Sequence, residues 1–456
     1  MASPEGWWAM MRWGTLVVFA LAVAVAVAQP VRTVLPNGAK LITSPEPGAP
    51  WVIAMAFLKA GEDTDQDKPG TRWVTAQAAY RRHALLSPSE LQHISAAVGG
   101  GVKLFIERDH LRYEVYTTGK WLENALFLLG GAAKHGELTA DEVEAAKNEV
   151  KTSITAPIGP AAEAVNKLLL EAFGGHPFGT RPTLEQVDAV TIQDCRDYYA
   201  RFFRPNLLTL VIAGEVPGEE ALRVARQTLG GWTASGPEPS PAPDILPPEE
   251  PFELVRTAST TSAYLAAGFV GPPPASKDFP AFALVAAALG KGETSVLART
   301  MRGSGAAYQV GTGLVPTVSG SLLFATVQFS PFEVDPTTHR PEVVLTKTRE
   351  LAKDALTSLA KDGLGAAELA SVKRRLLVDY QLADPPRAMP APFVQGHQRL
   401  RDRAFWLGWW EMVGCGYEMD VGFPKAVEQV TAEELLSVAR KYCSRPSSVL
   451  VVPLEP

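Results

Sequence analysis

Residues 190–216 read VTIQDCRDYYARFFRPNLLTLVIAGEV, and residues 430–456 read VTAEELLSVARKYCSRPSSVLVVPLEP. Each stretch opens with a threonine, Thr191 or Thr431, and carries a carboxylate three residues later, Asp194 or Glu434. That spacing closes a capping box at a helix start. An amphipathic helix then runs to an Arg-Pro stop, Arg204-Pro205 or Arg445-Pro446, and an apolar strand follows. The same helix–proline–strand unit recurs after 240 residues (430 minus 190). It implies an internal duplication.

Between the copies lies TASGPEPSPAPDILPPEEP, residues 233–251, with seven prolines and no hydrophobic period. Such a stretch can build neither a helix interior nor a paired central strand, and it reads as an extended linker. The chain therefore divides into residues 29–232 and 252–456. Each half mixes strands and helices without regular βαβ alternation, which predicts an α+β fold: two duplicated domains, each an antiparallel-rich sheet packed with helices. Strands are expected at Val34–Ser44, turned at Asn37-Gly38, and at Trp51–Ala60. A further strand is expected from the glycines at 99–101 through Val115. Helices are expected at Thr71–Ala84 and Ala140–Ile154. In the second half, strands fall at Ala263–Phe269, Tyr308–Gly313 and Ser321–Ser330. Helices fall at Phe279–Leu289, Pro341–Asp362 and Ala366–Leu382.

Composition narrows the function. The chain has 456 residues, 46% hydrophobic and 20% charged, with a net charge of −6. An acidic chain without a polybasic run does not fit nucleic-acid binding or a membrane-surface face. At the N-terminus, Arg12 precedes an apolar run from Thr15 to Ala28, and Ala26-Val27-Ala28 fits a small-x-small cleavage site before Gln29. Residues 1–28 thus read as a leader, which implies an exported, periplasmic or extracellular chain with no membrane contact after cleavage. An uncleaved anchor is the alternative, although the run falls short of the ~20 residues that span a bilayer. Cys195, Cys415 and Cys443 form neither a C-x-x-C pair nor an even framework. They read as buried thiols, with a single Cys415–Cys443 bridge as the other reading.

The order of short motifs resembles the insulinase/pitrilysin-type (inverzincin) metallopeptidases, and within them the mitochondrial-processing-peptidase-like branch. Leu35 to Gly38 (LPNG) is similar to the family's entry hairpin. Gly99 to Gly101 resembles its edge-strand signature, and His176-Pro177-Phe178-Gly179 its structural turn. Leu289 to Gly292 resembles the glycine-rich loop of the second half, followed by Gly305-Ala306-Ala307-Tyr308. The resemblance spans about residues 32–456 and implies two duplicated α+β domains facing a substrate chamber.

It also implies a zinc helix bearing H-x-x-E-H, and the segment in that place is GTRWVTAQAAYRR, residues 70–82. The histidine positions hold Trp73 and Gln77, and the glutamate position holds Ala76. The family's third ligand falls near Thr152-Ser153, with Glu149 about one turn early. Zinc hydrolysis needs about three protein ligands and a carboxylate base. Indole, methyl and neutral amide supply none of these, so no metal, cofactor or catalytic residue is expected. The resemblance leaves substrate-holding positions: Gly290 and Gly292 in the loop, Arg302 and Tyr308 as an oxyanion-stabilising pair, and Lys103 on the edge strand. Met301 is the ungapped counterpart of the arginine. Arg302 and Tyr308 have a plain reading too, as a surface charge and a strand aromatic.

Other groups are weaker. Glu107 and Asp109 are placed on one face of a strand with His110 on the other, and Glu90 and His93 one helical turn apart. His83, His135, His339 and His397 are isolated, and His176 reads as packing. Phe405, Trp406, Trp409 and Trp410 read as core or as a partner-facing patch. The expected function is a non-catalytic homologue, the partner subunit of an exported zinc peptidase, binding peptide and lending Arg302 and Tyr308 to the partner's site. A scaffold with no part in proteolysis is the alternative.

Overall fold

The central strands are apolar at almost every position because each is covered on both faces. In the computed structural model, which describes residues 29–65, 68–134, 136–233, 235–334, 341–382 and 395–454, they lie in two sheets. The leader at 1–28, with His135 and His339, lies outside the described residues.

The first sheet contains β1 (Val31–Val34), β2 (Lys40–Pro45), β3 (Val52–Leu58), β4 (Lys103–Ile106), β5 (Leu111–Thr117) and β6 (Leu208–Gly214). Its order is β1-β2-β6-β3-β5-β4. The second contains β7 (Glu253–Ala258), β8 (Ala263–Gly271), β9 (Gln309–Thr317) and β10 (Gly320–Phe329). After a two-stranded ribbon of β11 (Phe332–Val334) and β12 (Pro341–Val343), β13 (Ser447–Pro453) completes it. Its order is β7-β13-β8-β10-β9. Omitting β1, the two orders match strand for strand. In each, the last strand of the half inserts between the first two and runs parallel to the first. The other pairings are antiparallel. Both inserted strands belong to the repeated sequence unit, and both capping boxes form, at Thr191/Asp194 and Thr431/Glu434.

The halves exchange a helix. On β3, Val52, Ala54, Ala56 and Leu58 face the helices of their own half. The alternate residues Ile53, Met55 and Phe57 join a core with Leu400, Ala404 and Leu407, from the second-half helix Gln395–Met412. Reciprocally, the first-half helix Pro160–Ala172 sets Ala164, Leu168 and Leu169 against Ala266 and Val270 of β8 and Val449 and Val451 of β13. Gly408 permits the close crossing, since a Cβ there would lie 2.1 Å from the Phe57 ring.

Buried charge fixes the register of this crossing. Arg401 donates through Nε and Nη2 to Glu114 on β5 at 3.0 and 2.7 Å, with both residues at most 5% exposed. Arg112 also pairs with Glu114. At the other end of the helix, Glu411 accepts from Arg32 at 2.9 Å and lies 3.1 Å from Lys40.

The linker is extended but strapped down. Arg204 donates to the Pro237 carbonyl at 2.6 Å, and Asn206 to that of Gly236 at 3.2 Å. Ile245 bonds the Ser319 carbonyl of the second half. His176 bonds the Pro243 carbonyl through Nε2 at 2.9 Å, while its Nδ1 accepts from the Phe178 N–H at 3.1 Å.

Several local expectations change. The strand expected through Val115 is a hairpin of β4 and β5, because the Glu107 N–H turns back to the His110 carbonyl at 3.0 Å. Residues 341–343 form ribbon strand β12 rather than a helix start, and the helix begins at Leu345. Pro88–Val98, Leu122–Ala133, Gly218–Leu229 and Met419–Gln429 are additional helices. All three cysteines are free thiols. Trp409 and Trp410 are buried in the core, with Phe405 and Trp406 packed against it. No described helix is long and apolar enough to cross a membrane.

Two outcomes follow from these contacts. Arg401→Met removes two charge-assisted hydrogen bonds from the buried Glu114 carboxylate, leaving Arg112 as its charge partner, and should lower unfolding stability by about 2–3 kcal/mol in chemical denaturation. Burial holds the His176 pKa below its usual 6.5. A neutral, buried histidine contributes stability above that value, which is lost as the pH falls through the folded-state pKa. Denaturation from pH 7.5 to 5 should therefore show an acid loss that His176→Gln diminishes.

Candidate functional site

The helix Thr71–Arg81 is held from its N-terminus by a buried carboxylate. Asp65 accepts from the Gly70 N–H at 2.8 Å and the Arg72 N–H at 3.0 Å, satisfying two of the donors that a helix start leaves open. Burial pushes its pKa up to about 6 against these hydrogen bonds. Gly70 stands at φ 98°, the left-handed conformation that favours glycine, with its Cβ direction facing Pro182 and Val187. Arg72 is fully buried and donates to the Glu107 carbonyl at 2.9 Å and the Ala60 carbonyl at 3.3 Å. Glu62 lies 3.6 Å from Arg72 and 3.2 Å from Arg108. Burial pushes the Glu62 carboxyl up to about 7, with Arg72, Arg108 and Arg181 acting in the opposite direction.

On this rigid base, the face expected to carry a metal carries packing and an ion pair instead. Trp73 is half-buried against the cluster containing Val143, Ala146 and Val150. Ala76 is fully buried, its methyl group part of the first-half core. Gln77 donates its amide to Glu149, which also pairs with Arg81. Arg81 further contacts Glu142 at 3.2 Å. Thr152 and Ser153 are exposed one turn beyond, and the Thr152 hydroxyl donates back to the Asn148 carbonyl at 2.8 Å. The residue of the neighbouring helix that meets Gln77 is thus Glu149.

These groups do not fit zinc. One carboxylate, already paired with Arg81, meets an amide where a hydrolytic site needs about three ligands and a base. Among the described residues, no group of three or more His, Cys, Asp or Glu could hold a metal ion.

The second-half positions form one continuous unit. Gly290 ends the helix Phe279–Gly290, and a Cβ there would lie 2.3 Å from Thr312 Cγ2 and 2.6 Å from the Thr312 N. Gly292, at φ 79°, carries the loop over Arg375, which donates to the Lys291 carbonyl and to Thr294 Oγ1 at 3.0 Å. The following π-helical turn, Ala298–Arg302, is closed by the Gly303 N–H reaching five residues back to Ala298 at 3.0 Å. Arg302 ends this turn and donates from one Nη to both oxygens of Glu293, at 2.8 and 2.9 Å. Tyr308 enters β9, its N–H bonded to the Gln328 carbonyl at 2.8 Å and its side chain 63% exposed. Lys103, exposed at the start of edge strand β4, sets its Nζ 5.4 Å from the Tyr116 ring centroid.

The weaker sequence groups have structural roles. Asp109 and His110 are buried in the β4–β5 turn at 2.6 Å from each other, so they do not sit on opposite strand faces. The Asp109 carboxylate also accepts from the Val318 N–H of the second half at 3.1 Å. Glu90 closes a capping box with Ser87, and His93 Nδ1 lies 2.8 Å from the Ser89 carbonyl. His83, isolated in sequence and read as a surface or capping residue, is buried against Phe127, and its Nδ1 accepts from the Leu85 N–H at 3.1 Å. Glu293 and the clamp residue Arg375 were not singled out from sequence. Only their nearness to the glycine-rich loop, or to a helix that returns to it, could have pointed to them.

Several known proteins are similar to this chain in sequence or fold. A family model described as the peptidase M16 inactive domain matches residues 189–376. An uncharacterized zinc protease of Mycobacterium tuberculosis is 23% identical over 438 residues, covering 92% of each chain. One of Mycobacterium leprae is 26% identical over 220 residues, 46% of this chain and 48% of that protein. The alpha subunit of the mitochondrial-processing peptidase of Neurospora crassa is 23% identical over 208 residues, 44% of this chain and 36% of that one. Among solved structures, a peptidase M16 inactive domain from Pseudomonas fluorescens superposes with a TM-score of 0.77 at 16% identity, covering 93% of this chain and 98% of that one. A protease from Helicobacter pylori has the same TM-score and identity, covering 93% and 99%.

The glycine-rich loop can be tested by filling it. Gly290→Ala drives a methyl group into the Thr312 backbone and should cost about 1–3 kcal/mol of stability, read by thermal or denaturant unfolding.

Proposed function

We propose that this chain is a member of the insulinase-type (M16) peptidase family and serves there as the non-catalytic subunit of an exported zinc peptidase. It is a peptidase-like homologue whose own helix does not supply the hydrolytic groups. The observation that carries the reading is the Trp73–Gln77 face, where packing against the Ala140–Thr155 helix and the Gln77–Glu149–Arg81 contacts replace a ligand set. Three positions of the helix, Trp73, Ala76 and Gln77, depart together from the family's motif while the fold around them is kept. That pattern favours loss of chemistry over loss of structure.

In this reading the partner is a homologue with an intact H-x-x-E-H helix, and the division of labour is physical. The partner supplies the water-activating metal. This chain supplies hydrogen-bond donors where negative charge develops on the scissile carbonyl, through Arg302 and the Tyr308 hydroxyl. Glu293 holds Arg302 in place until an anionic group competes for it. Lys103 on the short edge strand, and the glycine-rich loop, hold the substrate backbone. The leader directs the chain out of the cytoplasm. Support for pairing comes from the match to an inactive-domain model and from the likeness to a relative that is itself one subunit of a peptidase. The scaffold reading keeps the pairing and drops the peptide.

Reconstitution separates the two. The chain mixed with a zinc-bearing homologue should cleave peptides that neither cleaves alone. Arg302→Ala or Tyr308→Phe should lower kcat/KM about 10- to 1000-fold, the usual cost of an oxyanion donor, without disturbing assembly. Assembly with cleavage unchanged in both variants would establish the scaffold reading instead.

A further inference from the structure

An apolar cavity of about 280 Å³ opens beside the glycine-rich loop and takes no part in the contacts described so far. Its walls are Phe279, Tyr380, Trp406, Trp410 and Phe423, and its floor is the alanine stripe Ala283, Ala286 and Ala287. Leu314 and Pro316 of β9 close one side. In the aromatic wall the Trp410 indole N–H is satisfied, since it donates to the Tyr380 hydroxyl at 2.9 Å. With the indole N–H taken up and the Thr312 hydroxyl donating to the Ala286 carbonyl at 2.8 Å, the interior offers few groups that would hold water, and an apolar guest loses little by displacing solvent there.

The rings also hold one another in place. Tyr380 and Trp406 stand 5.2 Å apart, Tyr380 and Phe423 5.1 Å, and Trp410 and Phe423 5.6 Å, each between centroids. This interlocked wall preserves the cavity against collapse, because no ring can swing inward without leaving its neighbours.

The mouth identifies the occupant. Lys291, between Gly290 and Gly292, lines the opening together with Thr312, the residue against which Gly290 is packed. The cavity is thus continuous with the loop assigned above to the substrate backbone. Among the described residues lining it, none is acidic and one is a cation. A lining that is apolar but for Lys291 and Thr312 offers no counter-charge to a lysine or arginine guest and admits a neutral one.

We propose that this cavity is a specificity pocket for one bulky apolar side chain, aromatic or branched aliphatic, of a peptide whose backbone lies along the glycine-rich loop. The inference rests on the peptide-binding reading of that loop and adds the side chain it selects.

Fluorescence anisotropy with the full chain alone, and no partner, tests it. Labelled peptides identical except for Phe, Leu, Ala or Lys at one position are titrated. The Phe and Leu peptides should bind about tenfold or more tightly than the Ala peptide, as expected for burying a large apolar side chain, and the Lys peptide no better than Ala. Ala286→Leu fills the floor and should erase the preference. Lys291→Glu at the mouth leaves the core untouched and should narrow the discrimination against Lys by about threefold or more, the order expected of one partly exposed charge pair. Equal binding of the Phe and Ala peptides would overturn the pocket while leaving the loop as a peptide site. A preference that persists in Ala286→Leu, or discrimination unaltered by Lys291→Glu, would also overturn the pocket. Absence of binding by every peptide would overturn both the pocket and the loop reading.

Discussion

The packing of a helix from each half across the other half's sheet is the constraint on which the rest depends. It explains why VIAMAFL is apolar throughout and SSVLVVP is apolar from Val449 on, rather than alternating, since both faces of each are covered. It also explains the buried charges. A helix crossing a sheet on apolar contacts alone could slide by a turn at modest cost, because hydrophobic burial is non-directional. The Arg401–Glu114 pair, with Arg112 behind it and Glu411 at the far end of the helix, admits one register. Its net contribution to stability is modest beside its cost if broken. Specificity is the stronger reason for it.

From that frame the candidate site inherits its rigidity. Asp65, Arg72 and Glu62 lock the Thr71–Arg81 helix from within, independently of what its outer face carries. The outer face was then free to change. Trp73 packs on a small apolar cluster, and Gln77 and Arg81 hold Glu149, so that this carboxylate is hydrogen-bonded and paired with a cation. Such a helix fits the core of the domain as well as a metal-binding one would.

Much of the fold was legible in the sequence, for identifiable reasons. The repeated capping box, Arg-Pro stop and apolar strand are local signals, and local signals read well without tertiary context. The strands that form the sheet centres were likewise marked by composition. What was missed depended on neighbours far along the chain. The hairpin turn at 107–110 contains no glycine or proline, and it forms because Asp109 is held by Val318 of the other half. His83 is isolated in sequence, yet it fills space beside Gly131 and Phe127. At the candidate site, Trp73, Ala76 and Gln77 were legible in sequence as side chains that offer zinc no ligand. Their replacement partner Glu149 could be placed only to within a turn, because spacing along a chain does not fix how two helices meet.

The central claim is that the Trp73–Gln77 face neither binds zinc nor activates water, and the metal content of the purified chain tests it most directly. Elemental analysis after dialysis against micromolar zinc should find far less than one zinc per chain, with unfolding unaffected by added metal, since tight structural or catalytic sites raise stability on binding. One firmly held zinc per chain, lost when Gln77 or Glu149 is replaced by alanine, would contradict the account.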